Sequence, residues 1–215
     1  MRRYFKKVFV FIALMFVMTS SGAAFAEWIR PADYGEFLKP GIVMTFREYM
    51  DGEDAGQTFE IEPKAFWSKS LRYEHRTFGA DGELSTRGMS TILDRENCVS
   101  LNCWWYPGNQ ISSTSCEMWV SRRVYEMVEM GRRADFIIDI EMRRDDDGVV
   151  WLERRDFWMC EFNGRWVALP VLVLRSSLGD TLWVLDNPNN PLVVKFESKI
   201  AGWELLKVAT QNHNP

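Results

Sequence analysis

The sequence holds only two histidines in 215 residues, no Cys-x-x-Cys pair and no Gly-x-Ser-x-Gly elbow. Those absences narrow the chemistry. A Ser-His-Asp machine would have to use His75, because His213 sits in the polar tail Thr-Gln-Asn-His-Asn-Pro, and no nucleophile elbow exists to serve either. His75 instead alternates with charged neighbours in Ser-Leu-Arg-Tyr-Glu-His-Arg-Thr-Phe, the pattern of a strand. Without Cys-x-x-Cys, a thioredoxin-like exchange centre has no basis. Zinc fares no better, since Cys98, Cys103, Cys116 and Cys160 form no paired knuckles and have no neighbouring histidines. Asp145, Asp146 and Asp147 before Gly148 lack the alternating spacing and distal Glu of a calcium loop, so they read as a solvated hairpin tip, as do Asp51, Glu53 and Asp54. Glu153 and Asp156 flank Arg154 and Arg155 and read as ion-pair partners. No catalytic residue, metal site or cofactor is assigned.

Long apolar runs are also missing. The longest, Val8 to Met18, is too short to span a bilayer comfortably, and it follows Arg2, Arg3, Lys6 and Lys7 and precedes Ala24-Phe25-Ala26. That order of charged, apolar and small residues is a cleavable signal peptide over residues 1–26, with Glu27 as the expected mature start. Arg2-Arg3 approaches the twin-arginine pattern, but the strongly apolar stretch behind it favours ordinary unfolded secretion. The expected location is periplasmic or extracellular. Beyond residue 26 the chain has 22 Lys and Arg against 30 Asp and Glu, a net charge near −8. Nucleic acid and anionic membrane surfaces are poor partners for such a balance. Four cysteines in an exported chain point to two structural disulfides.

What is present is β-pattern. From Gly41 onward apolar residues recur with period two: Ile42, Met44 and Phe46, then Phe59 and Ile61 across the turn cluster Asp-Gly-Glu-Asp-Ala-Gly, predict a hairpin over 41–62. Trp67, Leu71, Tyr73 and His75 are placed on one face of the next run, which turns at Gly-Ala-Asp-Gly-Glu and returns through 84–93. Cys103 and Cys116 lie nearly equidistant from Tyr-Pro-Gly-Asn-Gln, so a hairpin would pair them and leave Cys98 for Cys160. Trp104 and Trp105 would then point to opposite faces. Ser121 can cap a short helix carrying Val124, Met127 and Val128 on one face, either packed on the core or set as a lid. Strands follow over 136–142 and 149–162, with Asn163-Gly164 as the tight turn. An apolar run broken by Pro170 and strands at 181–186, 192–198 and 203–208 complete a single β-domain over 41–208, between a lead at 27–40 and a tail at 209–215. The fold class is mainly β: an antiparallel sheet curled into an open barrel or half-barrel with one short helix.

Two segments carry a resemblance. Tyr-Gly-Glu-Phe-Leu-Lys-Pro-Gly before the first strand, and Asp186-Asn-Pro-Asn-Asn-Pro-Leu192 near the end, resemble exported bacterial β-proteins similar in architecture to the outer-membrane lipoprotein carrier and receptor superfamily. That likeness implies an unclosed barrel with an apolar interior. The expected partners are a lipid or lipoprotein, with peripheral membrane contact. The leading expectation is therefore an exported, non-enzymatic protein holding an apolar or amphipathic ligand, a lipid or lipidated segment, in the concave face of its sheet. Trp67, Leu71, Tyr73, Met127, Val128, Trp158 and Phe162 are the candidate lining. Two rivals stand beside it: a structural or interaction module of the cell envelope with a filled core, and a carboxylate-based hydrolase.

Overall fold

The computed structural model describes residues 27–28, 37, 39–102, 106–139 and 148–211. The expected signal peptide, Cys103, Trp104, Trp105, the Asp145–Asp147 tip and His213 lie outside them. Fourteen strands form: β1 (Glu27–Trp28), β2 (Ile42–Met50), β3 (Glu53–Phe66), β4 (Leu71–Phe78), β5 (Leu84–Ile92), β6 (Ser100–Asn102), β7 (Gly108–Ser112), β8 (Ala134–Asp135), β9 (Ile137–Asp139), β10 (Val149–Phe162), β11 (Arg165–Ser176), β12 (Thr181–Leu185), β13 (Val193–Glu197) and β14 (Ala201–Thr210). Among the described residues one helix, α1 (Arg122–Glu129), interrupts them.

The strands hydrogen-bond in the order β7-β5-β4-β3-β2-β14-β13-β12-β11-β10-β8, with β1 beside β11, while β6 and β9 make a separate parallel pair. The long sheet curls until β10 meets β14 at Glu161–Lys207 and Phe162–Val208, without closing into a regular barrel. Turn chemistry drives much of this. Asp51 and Gly52 both take positive φ between β2 and β3, and Asn163 and Gly164 do the same between β10 and β11, the backbone of a twist-compatible two-residue hairpin. Pro170 sits on β11 between Val167–Ala168, paired with β1, and Val171, where pairing with β12 begins. A residue without an N–H is tolerated at such a break in the edge.

Alternation puts Met44, Phe46, Phe59, Ile61, Leu71 and Tyr73 on one buried face, with Phe46 stacked on Phe59 at 4.9 Å across the register. Val171 to Leu174 are buried on both faces, as an apolar run of that kind requires. The helix starts where Ser121 Oγ accepts a hydrogen bond from the Val124 amide, 3.3 Å, and stops before Gly131, whose φ is +74°. Val124, Tyr125 and Val128 are buried and Met127 packs against the core, so this is a packing helix lying against β8 and β10.

The cysteines correct the expectation. Cys98 is joined to Cys116, with Cα atoms 5.6 Å apart, and Cys160 is a buried free thiol, so neither Cys103–Cys116 nor Cys98–Cys160 forms. The cause is a lost hairpin: residues 108–112 pair in parallel with β5 and add to the edge of the large sheet. Asp94 meanwhile caps a tight turn, accepting from the Glu96 and Asn97 amides, and a parallel bridge sets Ser100 beside Ser115. That brings position 98 to position 116.

Candidate functional site

Of the proposed concave-face lining, part is fully buried and part is exposed. Leu71, Tyr73 and Val128 have no exposure at all. Tyr73 packs on the Trp119 ring at 5.3 Å, and Trp119 is itself fully buried, its Nε1 donating to Asn190 Oδ1 at 2.9 Å. On the other side of the molecule Trp158 donates to the Leu205 carbonyl at 2.9 Å and Phe162 stacks on Phe37 at 5.7 Å. Trp67 lies beyond the end of β3 and is 52% exposed, since the alternation that would have turned it inward stops at Phe66. At Tyr73 the cover comes from Trp119, in the stretch between the Cys98–Cys116 bridge and the helix.

Polar groups are buried nearby. His75 is buried against Gly88, where an added Cβ would come within 2.5 Å of the imidazole and 2.7 Å of the Tyr106 carbonyl. Burial pulls the His75 pKa below its ordinary value, and the charge of Glu74 opposes the shift. Ser90 stands opposite Tyr73 in the register and is fully buried. Glu117 is stranger: it takes φ +53°, is buried beside the disulfide, and burial pushes its carboxyl up to about 8. On the outward face Glu60, Arg76, Glu62, Lys64, Glu74 and Arg87 form one ion-pair ladder across β3, β4 and β5.

Three open clefts are described. The first, ≈ 310 Å³, contains Glu197 and Glu204, but Lys195 holds Glu197 at 2.6 Å and the Tyr49 hydroxyl donates to Glu204 at 2.5 Å. The second, ≈ 330 Å³, contains Glu48, raised in pKa by burial. Glu153 and Asp156 both bind Arg154, and Arg155 reaches Asp186 at 2.5 Å and Glu129 at 3.7 Å. Tyr125 donates to the other Asp186 oxygen at 2.6 Å, so the Asp186–Leu192 loop anchors the helix.

The third cleft, ≈ 250 Å³, gathers distant segments: Phe66 at the end of β3, Arg95 after β5, Arg122 at the start of α1, and Pro188, Asn189 and Pro191 of that same loop. Arg95 is only 8% exposed. Its guanidinium lies over the Phe66 ring at 4.7 Å and donates through Nη2 to the Asn189 carbonyl at 3.1 Å, while its Nε has no partner. Burial lowers its pKa to about 10. The backbone of residue 95 is a junction as well, bonded to Lys69 and to Arg122. Nothing in the local sequence announces this residue: Asp94 signals a capped turn, but burial of Arg95 depends on three remote segments.

No protein-family model, curated protein or solved structure matches the chain. Among the described residues no group of three His, Cys, Asp or Glu side chains could hold a metal ion, and no helix is long and apolar enough to cross a membrane.

Proposed function

We propose that the chain is an exported, non-enzymatic interaction module of the cell envelope whose core is filled and whose partners meet it on the surface. The observation that carries this reading is the full burial of Leu71, Tyr73 and Val128, three of the residues a carrier would use to line its cavity, with Tyr73 packed against the Trp119 ring. The amino-terminal charge-apolar-small pattern supports export, and a Cys98–Cys116 bridge suits an oxidising compartment. Contact through the surface is supported by Phe157, Met159 and Trp166, each 45% exposed or more, aligned on the outer face of β10 and β11.

Native mass spectrometry of protein purified from membranes, together with titration of a fluorescent fatty acid, tests the reading. The expected result is the mass of the bare chain and no saturable, protected uptake of the probe. A stoichiometric lipid adduct would overturn it and restore the carrier.

A further inference from the structure

The third cleft holds a cation, Arg95, with no ion-pair partner among the described residues. Arg95 is more than nine-tenths buried, makes one hydrogen bond, to a backbone carbonyl, and has an Nε donor without a partner. No carboxylate lies within ion-pair distance of it among the described residues, although two other charged pairs stand near. Glu96, in the same cleft, is held by Lys69 at 3.4 Å, and Arg122 is held by Glu126 at 2.9 Å. A buried guanidinium left with a single neutral acceptor costs several kcal/mol unless an anion completes it. Apolar surface surrounds it, from the exposed Phe66 ring beneath to Pro188 and Pro191 at the side.

We infer that the Arg95 cleft binds a carboxylate carried next to an apolar side chain on an extended segment of a partner protein. One spare positive charge matches one negative charge, and the presence of Glu96 weighs against a doubly charged phosphate. The planar fork of Arg matches a planar carboxylate in two-point contact. The cleft is large enough for that group and one apolar neighbour, which would lie against Phe66 and Pro191. Arg95 supplies charge and direction, and the prolines and Phe66 supply apolar contact. The carboxylate comes either from a chain terminus or from an Asp or Glu side chain, two sources of the same chemistry. This assignment rests on the reading of the chain as an interaction module, and names the chemistry of its partner.

The test compares acetyl-phenylalanine, its amide, acetyl-Glu-Phe-amide, phenyl phosphate and phosphatidylglycerol vesicles as probes. Binding is followed by two-dimensional NMR of the full chain through the Arg95 Nε–H and the amides of Phe66 and Asn189. Saturable binding by acetyl-phenylalanine, weakened by roughly tenfold or more in the amide, assigns a terminal carboxylate, and binding by acetyl-Glu-Phe-amide assigns a side chain. Arg95→Gln and Arg95→Lys should both lose this preference for carboxylate over amide. Equal affinity for acid and amide, an unchanged preference in Arg95→Gln, or binding only of phenyl phosphate or the vesicles would overturn the inference. The comparison of acid with amide needs no variant, so it decides even where Arg95→Gln fails to fold. It also reads the cleft alone, so a lipid found in the interior would sink the filled-core reading while leaving this result standing.

Discussion

The strands from β10 to β14 and the sheet from β2 to β5 solve the same problem differently. In the first region the sheet curls onto itself, with α1 against β10, and Val171 to Leu174, Val193, Val194 and Phe196 are apolar and buried throughout. In the second, Tyr73 of β4 packs against Trp119, whose irregular segment is closed on itself by the Cys98–Cys116 disulfide and joined to the 186–192 loop by Trp119 on Asn190, with Arg95 on Asn189 just before it. In the first region polar groups find strand carbonyls as acceptors, Trp158 on Leu205 and Trp203 on Val193. A loop used as a lid carries backbone and side-chain polar groups into the core, and each must be matched. The unmatched ones, Arg95 and Glu117, therefore collect on that side, and so does the candidate site.

The largest effect should come from removing the bolt of the second region. Trp119→Ala deletes a fully buried indole and its bond to Asn190, at a cost of about 4 kcal/mol. Urea unfolding should show it, accompanied by faster amide exchange in β5 and β7 while β10 to β14 stay protected. Uniform loss of protection would mean that the two regions are one cooperative unit.

Glu117 gives an effect as large, and one that depends on pH. Its carboxyl stands at about 8 in the folded chain against an ordinary 4.5, so the folded state keeps a proton that the unfolded chain releases. Stability is then fullest below the unfolded value, falls as pH rises between roughly 4.5 and 8, and levels off above. The loss across that window is on the order of 5 kcal/mol for the full shift. Glu117→Gln should flatten the slope and be the more stable protein at pH 8. Parallel curves for the two proteins would remove Glu117 from the account.

How much of this the sequence displayed follows the range of each interaction. Asp51-Gly52, Asn163-Gly164 and the Ser121 cap were legible because each is decided by two to four adjacent residues. The strand over 149–162 was legible because its turn and its alternation agree. The cysteine pairing was not, because the local symmetry about Tyr-Pro-Gly-Asn-Gln competes with a free edge on β5, and the edge wins. Trp67 failed by one residue: the strand ends at Phe66, and Phe66 faces Arg95 instead. Of the lining expected from the sequence, Leu71, Tyr73 and Val128 are fully buried. What packs on Tyr73 is Trp119, and no periodicity in a strand can report what will cover it.

Opening the Cys98–Cys116 bridge should come next in size. Its 18-residue separation predicts a cost of about 3 kcal/mol through the unfolded chain for the Cys98→Ala, Cys116→Ala protein. Reduction should reproduce that loss, read as the same shift in urea midpoint. A reduced protein as stable as the oxidised one would show that the cover is held by Trp119 and Arg95 without the bridge.

Cys160 completes the contrast from the other region. It is buried on β10 opposite Val167, in the same row as Trp158 and Phe162, with a thiol that burial pushes up to about 12. A thiol so reluctant to ionise is a poor nucleophile and behaves as a small apolar side chain. Cys160→Ala therefore removes one sulfur from a close-packed row, at a cost of about 1 kcal/mol. Its effect should be the same in oxidised and reduced protein, because nothing on β10 depends on the Cys98–Cys116 bridge. Double-mutant comparison with Cys98→Ala, Cys116→Ala should then be additive within a few tenths of a kcal/mol. A coupling well above that would mean that the disulfide-held cover and the curled strands share their strain, and the division between the two regions would not stand.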